Sequence, residues 1–209
     1  GIVLLAAPVR GQHKSPSAEQ SFGDAVQLYQ TQLYPASGSA FETFRRTHPS
    51  HLQAGHALYL QATSALAANR DALAVRLFVR LQTEYPAHPR AASVQLRLAR
   101  YFLEQNQTDQ ARRQLMALAE NPSTNAQAAR ALFLLGQTDR EQGNLRAALR
   151  RFQRVRSQYP DTEVAPAAFY AEGATHVQLE QYDAAAAAFE RLGSQFPSSP
   201  YAQNLGTSL

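Results

Sequence analysis

One spacing constrains this chain more than any other property: 37 residues. Phe41, Phe78, Leu115, Phe152 and Phe189 stand 37 apart at every step, as do Phe44, Leu81, Leu118, Val155 and Leu192. Two columns of small residues keep the same register: Ser37, Ala74, Ala111, Ala148 and Ala185, and Ala25, Ala62, Ala99, Gly136 and Gly173. Proline closes each unit at Pro49, Pro86, Pro122, Pro160 and Pro197, the third slipping by one residue. Internal periods of about 20–50 residues are the signature of repeat architectures, and a period shared by several columns fixes the fold before any single element is assigned.

Within a unit the pattern is helical. Ala148, Phe152 and Val155 are spaced four and three, which places them on one helix face. Leu132, Leu135, Gly136 and Asp139 lie on an earlier helix, and Gly143-Asn144 supplies the break between the two. Corresponding breaks are read at Tyr34-Pro35, Asn69-Arg70, Gln107-Thr108 and Gln181-Tyr182. The second helix ends before Tyr85-Pro86, Tyr159-Pro160 or Phe196-Pro197, since proline cannot continue the helical ladder and restricts its predecessor. Ala or Gly in the small columns lets the two helices of a unit approach closely, and the Phe/Leu column fills the space between units. A unit of this kind cannot bury its apolar face alone, so the units must stack. The expected fold is all-α: a right-handed α-solenoid of five helix pairs. The array covers residues 19–198, as units 19–49, 50–86, 87–123, 124–160 and 161–198.

The order small residue, turn, Ala, Phe, hydrophobe, closing Pro resembles the tetratricopeptide repeat, whose own period is about 34 residues. The match is fullest in the fourth unit, from Leu135-Gly136 through Ala148 and Phe152 to Pro160. Two departures stand out. Leu58, Gln95, Leu132 and Phe169 occupy the place of the family's Trp, and three extra residues lengthen the loop between units, as in 159–166 and 196–202. This "Tyr-Pro, polar, small, Ala" linker is similar to the repeats of bacterial cell-envelope proteins, including the periplasmic accessory protein of the Tol–Pal system and the lipoprotein that scaffolds β-barrel assembly. The chain has no Cys, which departs from the lipoprotein type and excludes disulfides, thiol nucleophiles and Cys-ligated zinc.

The first eleven residues read differently. Gly1 to Ala7 is apolar and uncharged, and Pro8-Val-Arg-Gly11 leads into the polar stretch 12–18. Seven apolar residues cannot cross a bilayer, which takes roughly 20 in a helix. They suit the end of a secretory h-region, with residues 1–11 the remnant of a signal peptide and 12–18 a linker. At the other end, 199–209 has the start signature of a further first helix with Pro200 in its first turn. The expected location is therefore periplasmic or otherwise exported, peripheral to the outer membrane.

No enzyme signature is present: there is no Gly-x-Gly-x-x-Gly, P-loop, Gly-x-Ser-x-Gly or His-Glu-x-x-His. His48, His51 and His56 straddle an inter-unit loop, with no Asp or Glu between Thr43 and Arg70 to complete a metal site. Asp139 with Glu141, and Asp161 with Glu163, are carboxylates two apart, a spacing that faces them in different directions on a helix and is usually solvent-exposed in a loop, so neither reads as an acid–base pair; His176 reads as a satisfied interior or groove histidine. Neither a cofactor nor a metal is expected. The formal charge is only +4, but residues 76–156 hold fourteen Arg and six acids, a balance of +8, while 157–209 hold one Arg and six acids, a balance of −5. Arg146, Arg150 and Arg154 lie along one helix face; this is read as a solvated face, with docking of an acidic protein or anionic glycan as the sharper alternative. Nucleic acid is not an expected partner, because no aromatic residue is interleaved with the stripe on its own helix face and export would remove the substrate.

The binding signal is a fifth column: Phe22, Tyr59, Leu96, Phe133 and Tyr170, on the first helices. In the family that the repeats resemble, the first helices line the concave groove. The expected groove comprises Phe22, Tyr59, Phe133 and Tyr170 together with Arg100, Arg130, Gln137 and Arg140; the competing reading is that the column is core. Flanking positions change chemistry from unit to unit (His56, Ser93, Arg130, Ala167; Thr63, Arg100, Gln137, Ala174), which suits a surface that reads a particular ligand. The expected function is a non-catalytic protein–protein interaction scaffold of the cell envelope. The alternatives are a self-associating homo-oligomer and the non-catalytic module of a larger envelope enzyme.

Overall fold

The computed structural model describes residues 16–122 and 124–205; the signal-like segment 1–11 lies outside them. The described residues are helical throughout their regular structure. They run as α1 (Ala18–Gln30), α2 (Tyr34–Thr47), α3 (Ala54–Ala67), α4 (Asp71–Glu84), α5 (Ala91–Glu104), α6 (Thr108–Glu120), α7 (Asn125–Glu141), α8 (Leu145–Gln158), α9 (Ala165–Gln178), α10 (Tyr182–Gln195) and α11 (Pro200–Leu205). Helices α1 to α10 form five pairs, and the chain divides into two compact units, Gly1–His88 and Pro89–Leu209.

In the first unit α1 packs on α2, α2 on α3 and α3 on α4, so each helix meets its sequence neighbour and the pairs stack. Phe22, Phe41 and Phe44 form its aromatic core with Ala25 and Ala57, the Phe22 ring standing edge-on to Phe44 at 5.3 Å between centroids. In the second unit consecutive helices from α5 to α10 pack in the same manner, and α11 rests on α9 and α10. Its core gathers Leu115, Leu118, Leu132, Leu135, Phe152 and Val155. The 37-residue columns at Phe41 and Phe44 thus occupy the interior: Phe41, Phe78, Leu115 and Phe152 are all 1% exposed or less.

The small columns have a steric reason. A Cβ on Gly136 would lie 2.4 Å from Cε1 of Phe152, and one on Gly173 would lie 2.4 Å from Cε1 of Phe189. The ring of the second helix therefore rests on the bare backbone of the first.

The turn inside each pair repeats more strictly than its sequence does. Gln32, Asn69, Asn106, Gly143 and Glu180 all have positive φ, between 56° and 77°, and stand 37 apart. The residue after each donates its N–H to the carbonyl five residues back: Leu33 to Leu28, Arg70 to Ala65, Gln107 to Phe102, Asn144 to Asp139 and Gln181 to His176, all at 2.7–2.9 Å. These are the 6→1 bonds of a Schellman closure, which satisfies the terminal carbonyls of the first helix. The expected first break at Tyr34-Pro35 is corrected to Gln32-Leu33, because Tyr34 and Pro35 already belong to the first turn of α2. Proline at that place gives up no helical bond, so it opens the helix where sequence reading took it to end one. The breaks expected at Gln107-Thr108 and Gln181-Tyr182 likewise move back one residue, to Asn106-Gln107 and Glu180-Gln181, because Thr108 and Tyr182 open α6 and α10.

Candidate functional site

The fifth column divides between core and surface. Phe22 is 8% exposed and packed on Phe41 and Phe44, so its place in the expected groove is corrected: it belongs to the core of the first unit, where α2 closes over it. Tyr59 on α3 is part-buried and lies near-parallel to the rings of His56, at 6.0 Å, and His88, at 5.6 Å. Those three rings form an aromatic–imidazole cluster on the first-helix side of the first unit.

In the second unit Phe133 on α7 is part-buried against Phe152, at 5.9 Å. Tyr170 on α9 is 38% exposed, between Phe189 at 5.8 Å and Tyr201 at 5.7 Å, and Tyr201 is itself 40% exposed. Arg130, one turn before Phe133, is ion-paired with Glu163 in the loop before α9. Gln137 and Arg140 are part-exposed on α7 and Arg100 is exposed on α5; among the described residues neither Arg100 nor Arg140 makes an ion pair. Since α7 and α9 touch, Phe133, Gln137, Arg130 and Tyr170 share one face of the second unit. That face combines half-covered rings, an amide and cations, which is the make-up of a surface for polypeptide recognition.

Sequence reading missed the buried polar joints. Asp139 on α7 is 2% exposed. Its Oδ1 lies 2.7 Å from Nη2 of Arg112 on α6, and its Oδ2 accepts from Nε of Arg151 on α8 at 2.5 Å. The carboxylate therefore ties three helices from two successive pairs. Glu172 on α9 is similarly buried; Arg156 of α8 stands 3.2 Å from its Oε2, and Gln153 donates to its Oε1 at 3.3 Å. Three periods earlier, at the same two columns, Arg45 donates to Gln61 at 2.8 Å. Burial, followed by the charge of Arg80, lowers the pKa of the Arg45 guanidinium, and Glu84 opposes that shift. The signal that finds such joints is a polar residue in an apolar column: 61, 98, 135 and 172 read Gln, Leu, Leu, Glu.

The histidines are dispersed in role. His51 stands 3.5 Å from the Glu19 carboxylate, which is held below its ordinary range by its own backbone N–H and then by the His51 side chain. His176 Nδ1 is 2.8 Å from Gln181 Oε1. No group of three or more His, Asp or Glu that could hold a metal ion occurs among the described residues. No described helix is long and apolar enough to cross a membrane.

Stacked two-helix units with left-handed turns and a partly exposed first-helix face define a helical-repeat protein. The chain belongs to the tetratricopeptide repeat-like domain family, whose sequence profile matches residues 20–165; a second profile, tetratricopeptide repeat, matches 139–209. No curated protein matches it by sequence. Among solved structures it is similar to MamA (residues 41 to end) from Desulfovibrio magneticus RS-1, with 18% identity, a TM-score of 0.63, and coverage of 88% of this chain and 97% of that one. It is also similar to YrrB, described as a TPR protein with an unusual peptide-binding site, with 18% identity, a TM-score of 0.64, and coverage of 91% and 92%. A tetratricopeptide repeat protein from Parabacteroides merdae gives 15% identity, a TM-score of 0.66, and coverage of 87% and 68%. At such identities the likeness is one of fold.

Proposed function

We propose that this protein is a non-catalytic interaction scaffold of the bacterial cell envelope, which holds a peptide or helix of a partner protein on the first-helix face of its repeats. The observation that carries the reading is the exposure of the aromatic column. In the Phe41 column Phe41, Phe78, Leu115 and Phe152 are sealed, whereas Tyr59 of the first unit is part-exposed and, in the second unit, Phe133 is part-exposed and Tyr170 is 38% exposed, on the face that carries Gln137 and Arg140. A core column has no reason to surface so, while rings that are half-covered before binding supply desolvated area at little cost in side-chain entropy. The peptide-binding site of YrrB supports the same assignment on a like fold. Export rests on the signal-like residues 1–11 and on the linker resemblance.

The test pairs binding with stability. Tyr170→Ala and Gln137→Ala, pulled down beside the parent from envelope extract, should lose a partner that the parent retains, while each melts within a few degrees of the parent. Loss of stability first, with binding unaffected where the fold survives, overturns the site. For location, fractionation of cells expressing the natural gene should recover the chain with the periplasm; recovery in the cytosol overturns the envelope role.

A further inference from the structure

The second unit carries another surface, away from the aromatic column. At its helix-to-helix turns, an open cleft of about 930 Å³ is lined by Arg112 of α6, Asp139 of α7, Arg146, Arg150 and Arg151 of α8, and Leu179 at the end of α9. Four guanidinium groups face a single carboxylate there. Asp139 is spent on Arg112 and Arg151, which it fixes in place; Arg112 also donates to Gln142 at 2.9 Å. Arg146 and Arg150 are exposed and, among the described residues, make no ion pair. The inner pair is thus held rigid by a buried acid, and the outer pair is uncompensated.

A second observation sharpens this. The first turns of α4, α6 and α10 contain Asp71, Asp109 and Asp183, as the helix dipole favours. The column through 109, 146 and 183 reads Asp, Arg, Asp, so α8 alone of these puts a cation at its positive end. Such a placement opposes the helix dipole, and a bound anion at Arg146 would relieve it.

We propose that this cleft docks an extended acidic segment of a partner protein, through carboxylates at alternate residues. Arg146 and Arg150 are four residues apart on α8, which separates them by roughly 6 Å. Alternate side chains of an extended strand recur at about 6.6–6.8 Å on one face, so two carboxylates of a Glu-x-Glu segment meet the two guanidinium groups in register. None of the cleft's lining residues is aromatic, so bases would find no stacking platform.

The probe is a labelled octapeptide with glutamate at alternate positions, titrated against the full chain at low salt by fluorescence anisotropy. Arg146→Gln with Arg150→Gln should weaken binding about tenfold or more, since two charge-assisted contacts are removed. Both residues are exposed, so this variant should melt with the parent. Arg46→Gln with Arg76→Gln makes the same change in net charge on the first unit and should alter binding less than about twofold. Tyr170→Ala should leave the peptide bound as in the parent, which separates this site from the first-helix face: failure of either reading leaves the other standing. Equal loss in the Arg46/Arg76 variant overturns the proposal, as does equal binding of a peptide whose glutamates lie three apart. Tighter binding of single-stranded DNA of the same charge, abolished by the Arg146/Arg150 change, would reassign the cleft to nucleic acid.

Discussion

Replacing Gly136 by alanine brings a methyl carbon to 2.4 Å from Cε1 and 2.8 Å from Cδ1 of Phe152. Carbon atoms settle at about 3.5–4.0 Å, so the ring must retreat by more than about 1 Å. It has little room, being 0% exposed and walled by Leu132, Leu135, Ala148 and Val155. Overpacking a dense core costs about 1–3 kcal/mol. Against this, alanine in a helix interior gains about 1 kcal/mol over glycine. With an approach this close the overpacking cost falls at the upper end of that range, so the expected net loss is about 2 kcal/mol, read as a lower urea midpoint at unchanged slope. Phe152→Leu alone should also destabilise, through the volume it deletes. The two together should do better than their sum, by about 1–2 kcal/mol. The reason is internal to the protein: the preceding repeat carries Ala99 and Leu115 at these same columns, both fully buried. Urea unfolding of the four chains, followed by circular dichroism at 222 nm, gives the coupling. Additivity would falsify the account, and so would a neutral Gly136→Ala, which would mean that the ring re-seats as Phe78 already does opposite Ala62.

Other outcomes follow from the same geometry. Phe152→Ala should cost roughly 3–5 kcal/mol in urea unfolding, and a wild-type midpoint would remove the Phe column from the core. Glu180→Gly should stabilise by about 1 kcal/mol, because a residue with φ of 58° carries a steric cost that glycine lacks; Gly143→Ala should lose a similar amount, and equal midpoints for all three chains refute this. Asp139→Asn should destabilise by about 2–3 kcal/mol, less than for a fully enclosed pair because Arg112 and Arg151 keep 24% exposure. Elevated salt should narrow that deficit by screening the two stranded cations, and a gap that widens with salt would refute the charge argument.

The fold was legible because one period runs through five columns at once, and a false register would have broken at least one of them. What the columns encode is burial, so Phe41, Leu115 and Phe152 were placed correctly from spacing alone. Three features escaped. Tyr34-Pro35 was read as a break because proline both opens and ends helices, and only the backbone at Gln32 decides which. The ion pairs of Asp139 escape a reading of local spacing, because its partners lie 27 and 12 residues away in sequence, on other helices. The aromatic column shows the limit of periodicity most clearly. Phe22 and Tyr170 hold equivalent positions, yet Phe22 is sealed under α2 and Tyr170 is half open beside Tyr201. Equivalent register fixes direction, and the size of the neighbours then sets exposure.

The five left-handed turn residues are Gln, Asn, Asn, Gly and Glu, and only one is the type that takes this conformation freely. What successive copies have inherited is therefore a torsion angle and a hydrogen bond, while the letter at the position has drifted. Any excision of one whole period rejoins a helix to the same point of the next copy and keeps every turn closed. The restraint on such events lies in Asp139 and Arg112, a bond between neighbouring copies that a deletion through 107–143 removes whole, leaving Arg151 without its acid.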